Sequence, residues 1–161
     1  MEIKLRELTV SDAGLWLAVQ KSAFAAYLAK YQDYTISPAA ESIERVLSRM
    51  GSPFARHYFI LAGGEVAGGT RISWWEGTAR YRLGGMFLLE EYQNAGIGQR
   101  AVRMVENLYP DAASWELDTI LQEPRLAHFY EKLGYRREGG ETVINDKMST
   151  VFYRKTMPVG E

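Results

Sequence analysis

The segment Leu88-Leu89-Glu90-Glu91-Tyr92-Gln93-Asn94-Ala95-Gly96-Ile97-Gly98-Gln99 joins an apolar run to an amphipathic one through a short turn. Behind it, the stretch from about Tyr81 to Leu89 reads as a strand. Ahead of it, Ile97, Ala101, Met104, Val105 and Leu108 share one face and predict a helix over 96–108. A helix start presents unpaired backbone N–H groups and about half a positive charge. Glycines in that first turn let an anionic group approach the backbone. Two familiar phosphate signatures do not apply. Gly98 is followed by Gln99-Arg100 rather than the Lys-Ser or Lys-Thr of a P-loop, and Gly96-x-Gly98 lacks the third glycine of a dinucleotide fingerprint. By itself the glycine pair fits a ligand-free tight turn as well as a phosphate cradle.

Working outward, Asp111 and Ala112 lie in a loop before a strand over about 114–121. The β-α-β step through 81–121 needs a crossover helix, so its two strands are expected to be parallel. Pro124 opens a fourth helix and Gly134 closes it. Tyr135 starts a last β region that turns through Asn145-Asp146 into residues 149–156. Upstream, residues 2–8 read as a strand, and Ser11 is the expected N-cap of a helix over about 12–28. Ser37-Pro38 predicts the start of a second helix, which carries Ile43, Val46, Leu47 and Met50 and stops at Gly51. Gly63-Gly64 predicts a tight hairpin between strands at 58–62 and 65–74. The order is β-α-α-β-β-β-α-β-α-β-β. It implies one α+β domain over 1–161, with a mixed, mostly antiparallel sheet of six or seven strands and helices on both faces.

Composition narrows the function classes. Hydrophobic residues make up 47% and charged residues 24% of the 161, and the net charge is −1. No basic field points to nucleic acid or an anionic membrane, and no apolar run approaches the ~20 residues of a membrane span. Met1-Glu2-Ile3-Lys4 offers no signal-peptide apolar region, so a cytoplasmic location is the default expectation. Cysteine is absent, which excludes disulfides, thiolate metal ligands and a cysteine nucleophile. The two histidines, His57 and His128, lack ligand spacing, and no metal site is expected. His57 reads as the start of a strand and His128 as a helix-surface residue.

Gln93-Asn94-Ala95-Gly96-Ile97-Gly98 resembles the Gln/Arg-x-x-Gly-x-Gly/Ala signature of GNAT acetyltransferases. Phe129-Tyr130-Glu131-Lys132-Leu133-Gly134-Tyr135 resembles that family's second signature, and the order of elements is similar over nearly the whole chain. The resemblance implies an N-acetyltransferase that moves acetyl from acetyl-CoA to an amine by direct attack in a ternary complex. Met86, Phe87 and Leu88 would then meet the pantetheine and acetyl groups. Gln93 and Asn94 through Gln99, including Ala95, Gly96, Ile97 and Gly98, would hold the pyrophosphate, with Arg100 adding a charged contact. The chain departs from the family at Glu90, Asn94 and Glu123, where proline, glycine and asparagine are frequent. Glu123 stands at a cofactor-touching position but is acidic.

In that family the backbone N–H of Leu88 would polarise the carbonyl, and Tyr130 matches a frequent general acid. A phenol with a free pKa of about 10 is protonated at neutral pH. Tyr130 also fits a packing stripe with Leu126, Phe129 and Leu133. Asp118 aligns with a glutamate used as base in some members; an ion pair at the strand end is an equal reading. Tyr27, Tyr31 and Tyr34, with Asp33 and Trp74, are candidates for the acceptor site by cation–π and charge contacts. They fit a lid equally well. The acceptor is expected to be a small-molecule or peptide amine, and a homodimer is expected by analogy alone. A non-catalytic acyl-CoA-binding module is the alternative reading: it would need the Gln93–Gly98 segment but not Tyr130.

Overall fold

A computed structural model describes residues 1–158. The strands are β1 (Ile3–Glu7), β2 (Ala55–Ala62), β3 (Glu65–Trp74), β4 (Arg80–Leu88), β5 (Ser114–Ile120), β6 (Arg136–Val143) and β7 (Ser149–Thr156). The helices are α1 (Ala13–Tyr31), α2 (Ile43–Met50), α3 (Ile97–Leu108) and α4 (Pro124–Lys132). All seven strands form one sheet in the order β1-β2-β3-β4-β5-β7-β6. Only β4 and β5 run parallel, as the crossover through α3 requires. The expected α+β class, mixed sheet and order of elements are all present.

Strand alternation sorts the side chains into two layers. On β2, Ile60 and Ala62 pack with Ile97 and Ala101 of α3. Phe59, one residue before Ile60, packs with Trp16 of α1 and Val46 of α2 on the other face. Val102 and Val105 of α3 meet Trp115 and Leu117 of β5, with Tyr130 of α4 and Leu133 just after it in the same cluster. Thus α1 and α2 cover one face, while α3 and α4 cover the other. Gly69 is required by this packing: a Cβ there would stand 2.4 Å from a ring carbon of Trp16.

Two helix starts differ from expectation. The start assigned to Ser11 is organised by Thr9 and Asp12, whose Oδ2 accepts from the Thr9 N–H at 2.8 Å over a 3-10 turn. The start assigned to Ser37-Pro38 belongs to a separate 3-10 turn, Pro38–Ala40, with Ser37 Oγ accepting from Ala39 N. Glu41 then returns to extended backbone, and Ser42 caps α2 by accepting from Arg45 N at 3.3 Å. Two capping serines five residues apart competed for one helix, and only the second precedes the apolar stripe.

The feature that positions the site is a split in the sheet. β4 and β5 pair through only Arg80–Arg82 and Ser114–Glu116, and then diverge. Beyond Arg82, the β5-facing edge of β4 has no strand beside it.

Candidate functional site

The split opens into a cleft of about 660 Å³ between α3 and α4, reaching to α1. Its wall along β4 is Met86, Phe87 and Leu88. Leu89 N donates to Ala67 O at 2.8 Å, on the β3 side. By antiparallel alternation Phe87 also turns its amide to β3, whereas Met86 and Leu88 direct theirs into the split. The edge therefore offers free backbone donors along the cleft wall.

The turn after β4 supplies more donors. Tyr92 and Gln93 spend their N–H groups on Leu89 and Glu90 carbonyls. From Asn94 to Gln99, no N–H donates to any acceptor among the described residues, and Arg100 N is the first to bond back, to Gly96 O. Six successive amides are thus free at the positive end of α3. Asn94 at φ 61° and Gly96 at φ 77° bend the chain so that this is possible. Gln93 braces the turn, its Nε2 donating to Leu88 O at 3.0 Å. Gly98 lets α4 approach: a Cβ there would lie 3.1 Å from Phe129 Cζ.

Across the cleft, α4 contributes Arg125, His128, Phe129, Tyr130 and Lys132. Among the described residues, no carboxylate lines the cleft. Its electrostatics come from helix dipole, free amides and the cations Arg125 and Lys132, and they favour a phosphorylated ligand. The apolar part, with Ala23, Phe24 and Leu126, suits a thin aliphatic arm. These residues fit coenzyme A. Tyr130 is 8% exposed and packs edge-on against Phe129 and Tyr135, at 4.9 and 5.8 Å between centroids. Its hydroxyl has no hydrogen-bond partner among the described residues, and burial pushes its pKa well above the ordinary phenol value. It is a fixed, protonated donor facing the cleft.

The structure gathers Met86, Phe87, Leu88, Gln93, Asn94, Gly96, Ile97, Gly98, Gln99, Tyr130 and Tyr27 around this one space. Ala95 belongs to the free-amide turn without lining the cleft. Other candidates lie elsewhere. Arg100 turns to the N-terminus, donating to Met1 O at 3.0 Å. Glu123 faces the end of α1, accepting from Lys30 Nζ at 2.7 Å and from the Tyr31 hydroxyl. Burial acts to raise the Glu123 pKa, but those two donors outweigh it and hold the carboxylate below its usual range. Asp118 lies on the face opposite α3 and α4, bound to Arg82 at 2.5 Å. Tyr31 is thereby a buried strut, its carbonyl accepting from Asn145 Nδ2 at 2.9 Å. Tyr34 stands 63% exposed. Trp74 packs on Tyr81 and Tyr109 in the α3-side core, so it is no acceptor wall. Asp33 is buried, with Oδ1 unpartnered.

Sequence reasoning missed Arg125 and Lys132, although their spacing with Phe129 along α4 marks one helix face. Among the described residues, no helix is long and apolar enough to cross a membrane, and no carboxylate, histidine or cysteine cluster could hold a metal ion.

Residues 16–135 match the family model described as the acetyltransferase (GNAT) family. An uncharacterized protein of Bacillus subtilis, YrkN, is 33% identical over 91 residues, covering 56% of this chain and 49% of that protein. The aligned part thus spans about half of that relative. Among solved structures, an acetyltransferase from Thermus thermophilus superposes with a TM-score of 0.77 at 16% identity, covering 98% of both chains. The PaiA N-acetyltransferase from Thermoplasma acidophilum, solved with coenzyme A, gives 0.72 at 15% identity, covering 98% of this chain and 100% of that one. At such identities the likeness is one of fold.

Proposed function

This chain belongs to the acetyltransferase (GNAT) family, and on that premise we propose that it acetylates a primary amine by direct transfer from acetyl-CoA. The observation that carries this is the run of six unspent amides, Asn94 to Gln99, opening into the same cleft as the Tyr130 hydroxyl. Bound acetyl-CoA supplies an acetyl group already activated as a thioester.

The residues divide the work. The Asn94–Gln99 amides and the α3 dipole bind phosphate. The Met86 and Leu88 amides hold the pantetheine arm and direct a hydrogen bond at oxygen where negative charge develops. As the thioester C–S bond breaks, Tyr130 gives its proton to the departing sulfur and regains one from solvent, leaving amide and free thiol. A thiol's free pKa is about 8.5, so a phenol held above 10 would be a reluctant donor to a free thiolate; the transfer is useful only as charge builds. With Asp118 held by Arg82 and Glu123 by Lys30, neither of these carboxylates takes the amine proton. Water in the open cleft mouth takes it, so the rate follows the amine's own ionisation.

The test is thiol release from acetyl-CoA over a broad amine panel, beside thermal shifts with coenzyme A, ATP and NAD. Turnover with at least one amine and a shift confined to coenzyme A are expected. Coenzyme A binding with no thiol release from any amine would leave a binding module instead.

A further inference from the structure

Behind Phe87, on the α1/α2 face of the sheet, lies a second cavity of about 130 Å³. Phe24 and Phe87 line both this cavity and the cleft, so it adjoins the cleft where β4 offers its free amides. Gly84 and Gly85 form its floor, at the bulge where the β3–β4 register slips. At Gly84 the Arg71 guanidinium takes up the room, 3.0 Å from where a Cβ would stand, whereas a Cβ on Gly85 would meet nothing within 4 Å.

The polar walls do not balance. Glu41 is already taken, paired with Arg49 and accepting from Gln20 Nε2 at 3.4 Å. His57 is 4% exposed and packs edge-on against Trp16. Burial, with Arg71 and Arg49 nearby, pulls its pKa down to about 4, so it is neutral at pH 7. Arg71 has no carboxylate partner among the described residues; its one side-chain hydrogen bond runs to Gly84 O at 3.4 Å. Burial and Arg49 lower its pKa to about 10, which still leaves it charged at neutral pH. A half-buried guanidinium with no carboxylate in ion-pair contact, only the field of a Glu41 already paired to Arg49, is costly, and its planar fork matches a carboxylate.

We propose that Arg71 receives a carboxylate of the acceptor, so that the acceptor is a small amine of the amino-acid class. This rests on the amine-acetylation reading. The cavity admits a carboxylate with a few carbons, and the wall shared at Phe24 and Phe87 directs the rest of the molecule to the cleft.

Two arms test it. In the first, free amino acids, including β- and γ-amino acids, are compared with their amides and decarboxylated amines as acceptors. Arg71→Gln should raise KM for the acids about 10- to 100-fold, the value of one charge-assisted pair, while KM for the amides and the Kd of coenzyme A stay put. Gly85→Ala keeps Arg71 and adds one carbon to open space, so it should raise KM for the acids several-fold without unfolding the chain. In the second arm, calorimetry with coenzyme A present compares N-acetylglycine with N-acetylglycinamide. The acid should bind at least about tenfold tighter, and Arg71→Gln should erase the difference. Equal binding of the two, binding of neither, or an acid preference that survives Arg71→Gln overturns the proposal. Failure of amine acetylation itself would look different: no acceptor releases thiol, yet N-acetylglycine still discriminates through Arg71.

Discussion

Tyr130 is a core side chain to which the proposed function also gives a proton-donor role. Its ring is edge-on to two aromatics, so it cannot swing, and its hydroxyl is left without an internal acceptor. Tyr130→Phe keeps the ring and removes only the proton. It should lower kcat about 100-fold or more, with coenzyme A affinity changed less than about threefold. Equal turnover in the two proteins would retire the assignment. Asp118→Asn is the comparison, expected to stay within about threefold in kcat because Arg82 holds that carboxylate away from the cleft. His57 makes a separate prediction about stability. Its folded pKa of about 4 lies below the unfolded value near 6.5, so the unfolded chain binds the extra proton between those values. Stability is therefore full above about pH 6.5 and falls as pH drops toward 4, by about 3 kcal/mol from this residue. Urea titrations at pH 7 and pH 4.5 should show wild type losing more than His57→Gln does; parallel losses would refute it.

At the scale of elements, β4, the turn and α3 act as one unit. The turn was legible in the sequence because its chemistry is local: glycine spacing, a helix start and an apolar strand within a dozen residues. Gly98 has two duties there, leaving the amide run open and admitting Phe129. The two separate by substitution. Gly98→Ala needs Phe129 to move a few tenths of an ångström and should retain most coenzyme A binding. Gly98→Asp sets a carboxylate beside the phosphates and should weaken binding roughly 100-fold in calorimetry. If both variants bind alike, sterics rather than charge governs the turn. What escaped the sequence was non-local. That Glu123 turns to Lys30 and Asp118 to Arg82 depends on partners 93 and 36 residues away. The start of α2 was misread because Ser37-Pro38 satisfies the local rule for a helix start and only packing chooses Ser42 instead. Arg71 did carry a signal, a charge in the interior of a strand, flanked by Thr70 and Ile72. Its meaning needed Gly84 from the neighbouring strand and Arg49 from α2.

Across the whole molecule, the sheet is two blocks joined at a short seam. β1 to β4 form one antiparallel block and β5 to β7 the other, with three residue pairs of parallel ladder between them. The seam is completed by packing, since α3 spans β4 to β5 and buries Val102 and Val105 against Trp115. Ending the ladder at Arg82 leaves the Met86 and Leu88 backbone donors unspent, a cost the fold bears to keep the cleft. A ligand that takes up those donors ties the blocks together, so its stabilisation should be global as well as local. At one hundred times its Kd, coenzyme A should add about 2.7 kcal/mol and raise Tm by roughly 5–10 °C. Hydrogen exchange should slow most at Met86, Leu88 and Asn94 to Gln99, which lack internal acceptors, and to a smaller extent along β5. Amides of β2, paired on both sides already, should slow only by the global amount. Protection confined to α3 and absent from Met86 and Leu88 would mean that the ligand rests on the helix start without entering the split.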